Sequence, residues 1–206
     1  MKKTLSPSRI VCGIVIFLFI AGCASGTKVT VTQDKYTPAF RSGDFSRLKG
    51  KKIILANFYN QAQNTKTYNY FSADKKVYYE ASTSLESYFW YCFQKAFKYA
   101  GAHLVDYDAS GYRGPRAYWW GVPPPRTTHT NGIPEFQLGL LSLTDQEFKF
   151  KAFIFKNGET KFEKEYTINM KAVATENIAE LEKGSYRLVD LAFVTIMRDR
   201  EFQKAF

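Results

Sequence analysis

The fold of this chain is decided by residues 147–169, which read EFKFKAFIFKNGETKFEKEYTIN. Apolar and charged side chains alternate on both sides of Asn157-Gly158, as is typical of two half-buried antiparallel strands joined by a tight turn. A three-residue loop over 156–158 predicts a register with apolar pairs on one face and opposite charges on the other. The predicted pairs are Phe148 with Tyr166, Ala152 with Phe162, Lys149 with Glu165, and Lys151 with Glu163.

Helical periodicity flanks this hairpin on both sides. Apolar residues repeat at helical spacing within 77–100, Gly101 follows where a glycine C-cap belongs, and a second helix is predicted over 175–200. The two apolar stripes are Leu85, Phe89, Cys92, Phe93, Ala96 and Ala100, and Ile178, Leu181, Val189, Ala192, Phe193 and Ile196. Further strands are predicted at 51–58, 103–107 and 136–143. The order β-α-β-β-β-β-α predicts an α+β fold, a two-layer sandwich of mostly antiparallel sheet with two helices on one face.

The N-terminus is typical of a processing segment rather than of a folded element. Three basic residues precede a twelve-residue apolar run over 10–21, which is too short to span a membrane. The run ends in Ile20-Ala21-Gly22-Cys23, which resembles the bacterial lipobox. The resemblance implies removal of 1–22 as a lipoprotein signal peptide, diacylglycerol on the Cys23 sulfur and a fatty acid such as palmitate on the new N-terminus. An ordinary secretory signal and an uncleaved anchor are the alternatives.

The residues after the lipobox bear on location. Neither Ala24 nor Ser25 is the aspartate that keeps many enterobacterial lipoproteins in the inner membrane. The resemblance therefore implies a lipid anchor in the outer membrane, with the protein facing the periplasm. Residues 23–50 show no sustained hydrophobic period, which predicts a flexible basic tether. Within it, polar and apolar residues alternate over 28–32, so this stretch could pair as an edge strand. Residues 51–206 predict a single α/β periplasmic domain.

The positive charge is concentrated in two segments. The whole chain carries 29 basic and 19 acidic residues, a net charge of +10. Residues 23–52 hold seven bases against two acids, and residues 109–134 hold three bases and no acid. We interpret the charge as belonging to a tether and a loop, which argues against nucleic-acid binding, because that function needs a basic face on folded structure. Bases beside a lipid anchor fit either attraction to anionic headgroups or a merely soluble linker.

Residues 109–134 form an insertion rich in proline and tryptophan. Loops of this length in compact domains are usually functional or disordered. The insertion's aromatic residues and arginines resemble the composition of protein-interface hot spots, and they would also suit stacking on sugar rings. The alternative is that both tryptophans pack on the domain's own sheet. The candidate partner-binding residues are Arg113, Arg116, Tyr118, Trp119, Trp120 and Arg126.

Catalytic and metal-binding motifs are missing from the sequence. His103 and His129 are the only histidines, and no Gly-x-Ser-x-Gly motif precedes a helix. Cys92 is the one cysteine that would stay unmodified after removal of the signal peptide and lipidation of Cys23. Because it lies on the apolar stripe of the first predicted helix, we predict that it is a core residue. Asp106 and Asp108 share one strand face, a spacing that fits a metal but also fits solvated strand-end charges. We therefore predict a protein that is not an enzyme and that holds no metal and no cofactor beyond its covalent lipid.

The order of elements resembles small bacterial envelope lipoproteins of the YajG-like and ABC-transport-auxiliary type. The matching positions are Lys52-Ile53-Ile54-Leu55, the helix from Leu85 to Gly101, the strand from Phe136 to Leu143, the Asn157-Gly158 hairpin and the run from Asn177-Ile178-Ala179 onward. The resemblance implies a non-enzymatic accessory or adaptor subunit of an envelope complex for transport, secretion, motility or cell-wall assembly. A peptidoglycan- or glycan-binding lipoprotein that uses the tryptophans, and an envelope hydrolase, are the alternatives.

Overall fold

The computed structural model describes residues 26–105, 132–171 and 175–206 of the 206-residue chain. The described residues form nine strands, three α-helices and one 3-10 helix over Ser42–Leu48. The strands are β1 (Thr27–Val31), β2 (Lys52–Leu55), β3 (Tyr59–Asn60), β4 (Asn69–Phe71), β5 (Val77–Ala81), β6 (His103–Leu104), β7 (Glu135–Leu143), β8 (Glu147–Lys156) and β9 (Glu159–Asn169). The helices are α1 (Leu85–Tyr99), α2 (Ile178–Arg198) and α3 (Arg200–Ala205).

The main sheet has the strand order β6-β2-β7-β8-β9, and the short β3 also pairs with β7. The pairs that involve β2 and β3 are parallel and short, whereas β7, β8 and β9 form two long antiparallel pairs. Rings of α1 lie directly on this sheet: Phe89 stacks on Phe148 at 4.6 Å and Phe93 on Phe136 at 5.7 Å between centroids. The predicted α+β sandwich, with two main helices on one sheet face, is confirmed.

Both predicted apolar stripes face the core, with the single exception of Ile178 at the start of α2. Gly101 has a φ of +89°, a conformation that glycine adopts without steric cost, and it follows the end of α1 as predicted. The start of α1 was predicted wrongly, because the helix begins at Leu85 and residues 77–81 form β5. This stretch alternates Val77, Tyr79 and Ala81 toward the interior, and its β-branched and aromatic residues suit a strand that pairs on both sides.

The register of the hairpin differs from the predicted one by two residues. The loop has two residues rather than three, since Lys156 lies opposite Glu159 and both Asn157 and Gly158 have positive φ, as a type I′ turn requires. A β-bulge then adds one residue to β9 between Thr160 and Phe162. The two differences together keep each side chain on its predicted face. The resulting pairs are Phe148 with Ile168, Phe150 with Tyr166, Lys151 with Glu165 and Ile154 with Phe162.

A second sheet, with the order β1-β5-β4, packs against α2. Its inner side chains are buried, and the Tyr70 hydroxyl lies 2.9 Å from the Ser185 hydroxyl of α2. Residues 27–50 are therefore part of the folded domain, and the predicted flexible tether over 23–50 is corrected for them. The alternating residues 28–32 do pair as an edge strand, since β1 lies at the edge of this sheet. The apolar side chains of 27–50 follow no single period because each fills a different gap of the core: Val29, Val31, Tyr36, Phe45 and Leu48 are all buried.

The segment between β1 and the 3-10 helix is clamped between the two long helices. On one side, the Lys95 ammonium of α1 donates hydrogen bonds of 2.6–3.1 Å to the carbonyls of Gln33, Asp34 and Tyr36. On the other side, the Asp190 carboxylate of α2 accepts hydrogen bonds from the Tyr36 hydroxyl at 2.7 Å and the Ala39 amide at 3.2 Å. The segment thus runs along α2 toward its C-terminal end.

Candidate functional site

The sequence-predicted site residues lie outside the described part of the chain. This applies to Cys23 and to the six candidate residues of the insertion, as well as to Asp106, Asp108 and His129. His103 lies exposed at the start of β6, and Cys92 is fully buried, where burial raises the pKa of its thiol. A reactive thiolate at Cys92 is therefore disfavoured at neutral pH.

The described residues do contain a groove that sequence reasoning missed, at the C-terminal end of α2. It has a volume of about 970 Å³ and lies between the 3-10 helix, the last turn of α2 and α3. Its floor is apolar and its rim is cationic. The floor residues are Phe45, Leu48, Met197, Phe202 and Phe206, and the charged residues are Asp44, Arg47, Lys51, Arg198, Arg200 and Lys204.

The elbow between α2 and α3 places the basic residues around the groove. The helix predicted over 175–200 ends at Arg198, Asp199 has an extended backbone, and α3 was not predicted. The Asp199 carboxylate accepts hydrogen bonds from the backbone amides of Glu201 at 2.8 Å and Phe202 at 3.3 Å, which caps α3. Because the chain turns at this cap, Arg198 and Arg200 reach the same groove from two different helices.

The groove carries a clear excess of positive charge. Of its side chains, five are basic and one, Asp44, is acidic and bonds to Arg198 at 3.3 Å. Arg47 donates at 2.6 Å to Gln203, which is neutral and leaves the guanidinium charge uncompensated. In the described part of the chain Lys51, Arg200 and Lys204 form no ion pair within 4.0 Å. Clustered cations beside apolar walls attract anionic groups more strongly than the same charges dispersed in water.

This groove corrects the interpretation of the charge. All seven bases of 23–52 lie at or after Lys28, within residues that belong to the folded domain or lead directly into β2. Arg47 and Lys51 from this segment line the groove together with three bases from the end of the chain. The basic character therefore belongs in part to the domain surface. Residues 47–51 and 198–204 are far apart in the sequence, so only the tertiary structure could reveal that they form one cluster.

Asp199 also ties the elbow between α2 and α3 to β9. Burial alone would raise the pKa of its carboxyl, but the Lys164 ammonium at 2.8 Å, the Tyr166 hydroxyl at 2.9 Å and the two α3 amides lower it below 3.8. A carboxyl whose pKa is lower in the folded than in the unfolded state adds stability that is present above the unfolded pKa. That stability is lost as the pH falls through the folded pKa.

We expect Asp199→Ala to lower the free energy of unfolding by about 1–2 kcal/mol at neutral pH, because the cap of α3 is lost. Asp199→Asn keeps an N-cap acceptor but loses the charge beside Lys164, so it should remove this residue's share of the stability loss below about pH 4. Urea denaturation across the acidic range measures both effects. An Asn variant with the same acid profile as the wild type would contradict the assignment.

The described residues contain no group of three or more His, Cys, Asp or Glu side chains arranged to hold a metal ion. In the same residues, no helix has the length and apolar character needed to cross a membrane.

The likeness of this chain to known proteins is limited. No protein-family model matches this chain, and no curated protein matches it. Among solved structures it resembles the crystal structure of protein XCC0632 from Xanthomonas campestris, described under the family model DUF330. The two chains are 8% identical, the match covers 86% of this chain and 96% of that chain, and the TM-score is 0.49. No residue role follows from a likeness at this level.

Proposed function

We propose that this protein is a non-enzymatic lipoprotein, anchored in the outer membrane through Cys23, that acts as an adaptor subunit of a cell-envelope complex. The observation that carries the proposal is the basic groove at the C-terminal end of α2. Only three residues separate the lipobox cysteine from β1, which begins at Thr27. The resemblance to YajG-like and ABC-transport-auxiliary lipoproteins implies the same kind of function.

The groove lies far from the anchored end of the domain. The Tyr186 hydroxyl of α2 bonds to the carbonyl of Thr32, just after β1, whereas Arg198 of α2 bonds to Asp44 at the groove. Tyr186 and Arg198 are twelve positions apart on α2, which corresponds to about 18 Å along the helix axis. A partner in the groove would therefore be held away from the point at which the chain enters the lipid.

The composition of the groove favours an acidic segment of a partner protein as its occupant. Arginines and aromatic rings are the residues that contribute most to binding at protein interfaces. The apolar floor can accept hydrophobic side chains, while Lys51, Arg200 and Lys204 remain available for carboxylates. A chain with a lipid anchor and such a groove is suited to holding another envelope protein near the membrane.

The proposal is tested by crosslinking in intact cells from a photoreactive amino acid placed at Lys204. The matched control carries the same amino acid at Glu163, an exposed residue of β9. We expect an envelope protein to be captured from position 204 and not from position 163. Capture of peptidoglycan fragments instead would favour the glycan-binding alternative, and equal capture from both positions would remove the groove from the interface.

Charge reversal in the groove gives a second test. We expect Lys51→Glu/Arg200→Glu, combined with the photoreactive amino acid at position 204, to abolish the capture, because electrostatic attraction and specific contacts are both lost. The matched control is Lys161→Glu/Lys171→Glu, which changes the net charge equally on an exposed surface elsewhere. Capture that survives the groove reversal, or that the control also abolishes, would contradict an adaptor function carried by this groove.

A further inference from the structure

The outer face of the β1-β5-β4 sheet carries a patch of exposed lysines with the exposed ring of Phe71 and the half-buried ring of Tyr78. Because successive side chains of a strand point to opposite faces, burial of Val29 and Tyr79 turns their neighbours outward. We call this surface the outer sheet patch. It consists of Lys28, Phe71 and Tyr78 on the strands and of Lys75 and Lys76 on the β4–β5 turn.

The two aromatic rings of the outer sheet patch form one continuous apolar surface. Phe71 lies opposite Tyr78 in the antiparallel pair, and their rings meet edge to face with centroids 5.3 Å apart. Phe71 is 36% exposed although phenylalanine usually lies in the core. Tyr78 lies opposite Lys28 on β1, so the apolar surface adjoins the first strand of the domain.

The patch lies where the chain enters the domain. The Thr27 amide donates a hydrogen bond of 3.0 Å to the Lys76 carbonyl, which fixes the start of β1 against the lysine turn. Only Ala24, Ser25 and Gly26 separate Thr27 from Cys23. Fully extended, this stretch reaches about 14 Å between the two Cα atoms. A lipid on Cys23 would therefore keep the patch close to the lipid headgroups.

The charge of the patch is of the sign that suits an anionic lipid surface. Lys28 is paired with Glu80, and Lys76 lies 3.5 Å from Asp74. Lys75 has no ion-pair partner among the described residues, so it leaves one uncompensated positive charge on the patch. Aromatic rings and lysines together are typical of protein surfaces at the membrane–water interface, where each basic residue adds about 1 kcal/mol of attraction to anionic lipid.

We propose that the outer sheet patch rests on the anionic lipid headgroups of the membrane that holds the Cys23 anchor. The inference rests on the proposed function, because it needs the anchor. The short connection and the patch would then act together, so that the domain has a preferred orientation and presents its groove away from the lipid.

The test uses the full lipidated chain, purified from membranes and reconstituted in vesicles of phosphatidylethanolamine and phosphatidylglycerol. Single variants Phe71→Cys and Tyr78→Cys carry a fluorescent label, and Lys204→Cys in the groove is the control. Cys92 is 0% exposed, so the introduced cysteine is the reactive thiol of the folded domain. Headgroup-labelled nitroxide lipid serves as the membrane quencher and iodide as the aqueous quencher.

We expect nitroxide lipid to quench the labels at 71 and 78 several-fold more strongly than the label at 204, and iodide to show the reverse order. Replacing phosphatidylglycerol by phosphatidylcholine should reduce the difference. Equal quenching at all three positions, in protein that floats with the vesicles, would overturn the inference and leave the anchor intact. Protein that does not float would overturn the anchor and the inference together. Because two independent positions are labelled, a single variant that misfolds does not decide the result.

Discussion

Phe193→Ala should lower the free energy of unfolding by about 3–5 kcal/mol, the cost of removing a fully buried phenylalanine ring. Phe193 on α2 is 0% exposed and lies at the centre of an aromatic cluster. Its ring stacks on Phe40 at 4.9 Å and meets Phe97 edge to face at 5.0 Å. Rings from α1, α2 and the segment before β2 join at this residue, so the cavity would separate three elements and could not close by a local shift.

Urea denaturation followed by far-UV circular dichroism measures this effect. The matched control is Leu191→Ala, two residues away on the same helix, where the side chain is 36% exposed. We expect the control to cost less than about 1.5 kcal/mol, because little apolar area is buried at that position. If the two variants lost the same stability, or if Phe193→Ala cost less than the control, the cluster would not be the centre of the core.

Lys95→Met should lower the free energy of unfolding by about 2–3 kcal/mol, because methionine keeps the length of the side chain but removes its donors. The Lys95 ammonium donates to the carbonyls of Gln33, Asp34 and Tyr36, and no other side chain of the described residues replaces it there. Hydrogen bonds from a charged donor are roughly twice as strong as neutral ones. The loss would release the segment that leads from β1 to the groove.

The control for this variant is Lys98→Met, which removes an exposed lysine one turn later on α1. We expect its stability to change by no more than about 0.5 kcal/mol. Hydrogen exchange provides the second measurement, since protection of residues 33–39 should fall in Lys95→Met and remain in Lys98→Met. Unchanged protection in Lys95→Met would show that Asp190 alone holds the segment.

The hairpin illustrates how far local pattern alone leads. Alternation in residues 147–169 predicted two strands and the correct face for each side chain, because a period of two is a property of any strand. The register needed the loop length, which was predicted wrongly, and the bulge, which was not predicted. The two-residue turn by itself would have put Phe150 opposite Glu165, and the bulge restores the match between faces. A bulge is stabilised by packing on both strands, so local pattern does not predict it.

The segment 27–50 shows the opposite case. Its composition is polar and basic, and it has no sustained period, so it was interpreted as a tether. In the structure its few apolar residues each reach a separate gap between α1, α2 and the second sheet. Such a segment is ordered by the surfaces that surround it, for example by Lys95 and Asp190, and not by its own propensity.

The sequence by itself determined the α+β class, the long hairpin, the two amphipathic helices, the glycine after α1 and the resemblance of 20–23 to a lipobox. These features depend on the spacing of residues within a single element or on a short motif. The apolar face of a helix or strand is set by that spacing and does not depend on which element packs against it. Tertiary structure alone decided the second sheet, the incorporation of 27–50 and the basic groove. The second sheet pairs β1 with β5, which lies 50 positions later in the chain, and the groove joins residues more than a hundred positions apart, such as Arg47 with Gln203 and Asp44 with Arg198. Their proximity arises only when the core has packed, because no local pattern records which surfaces will meet.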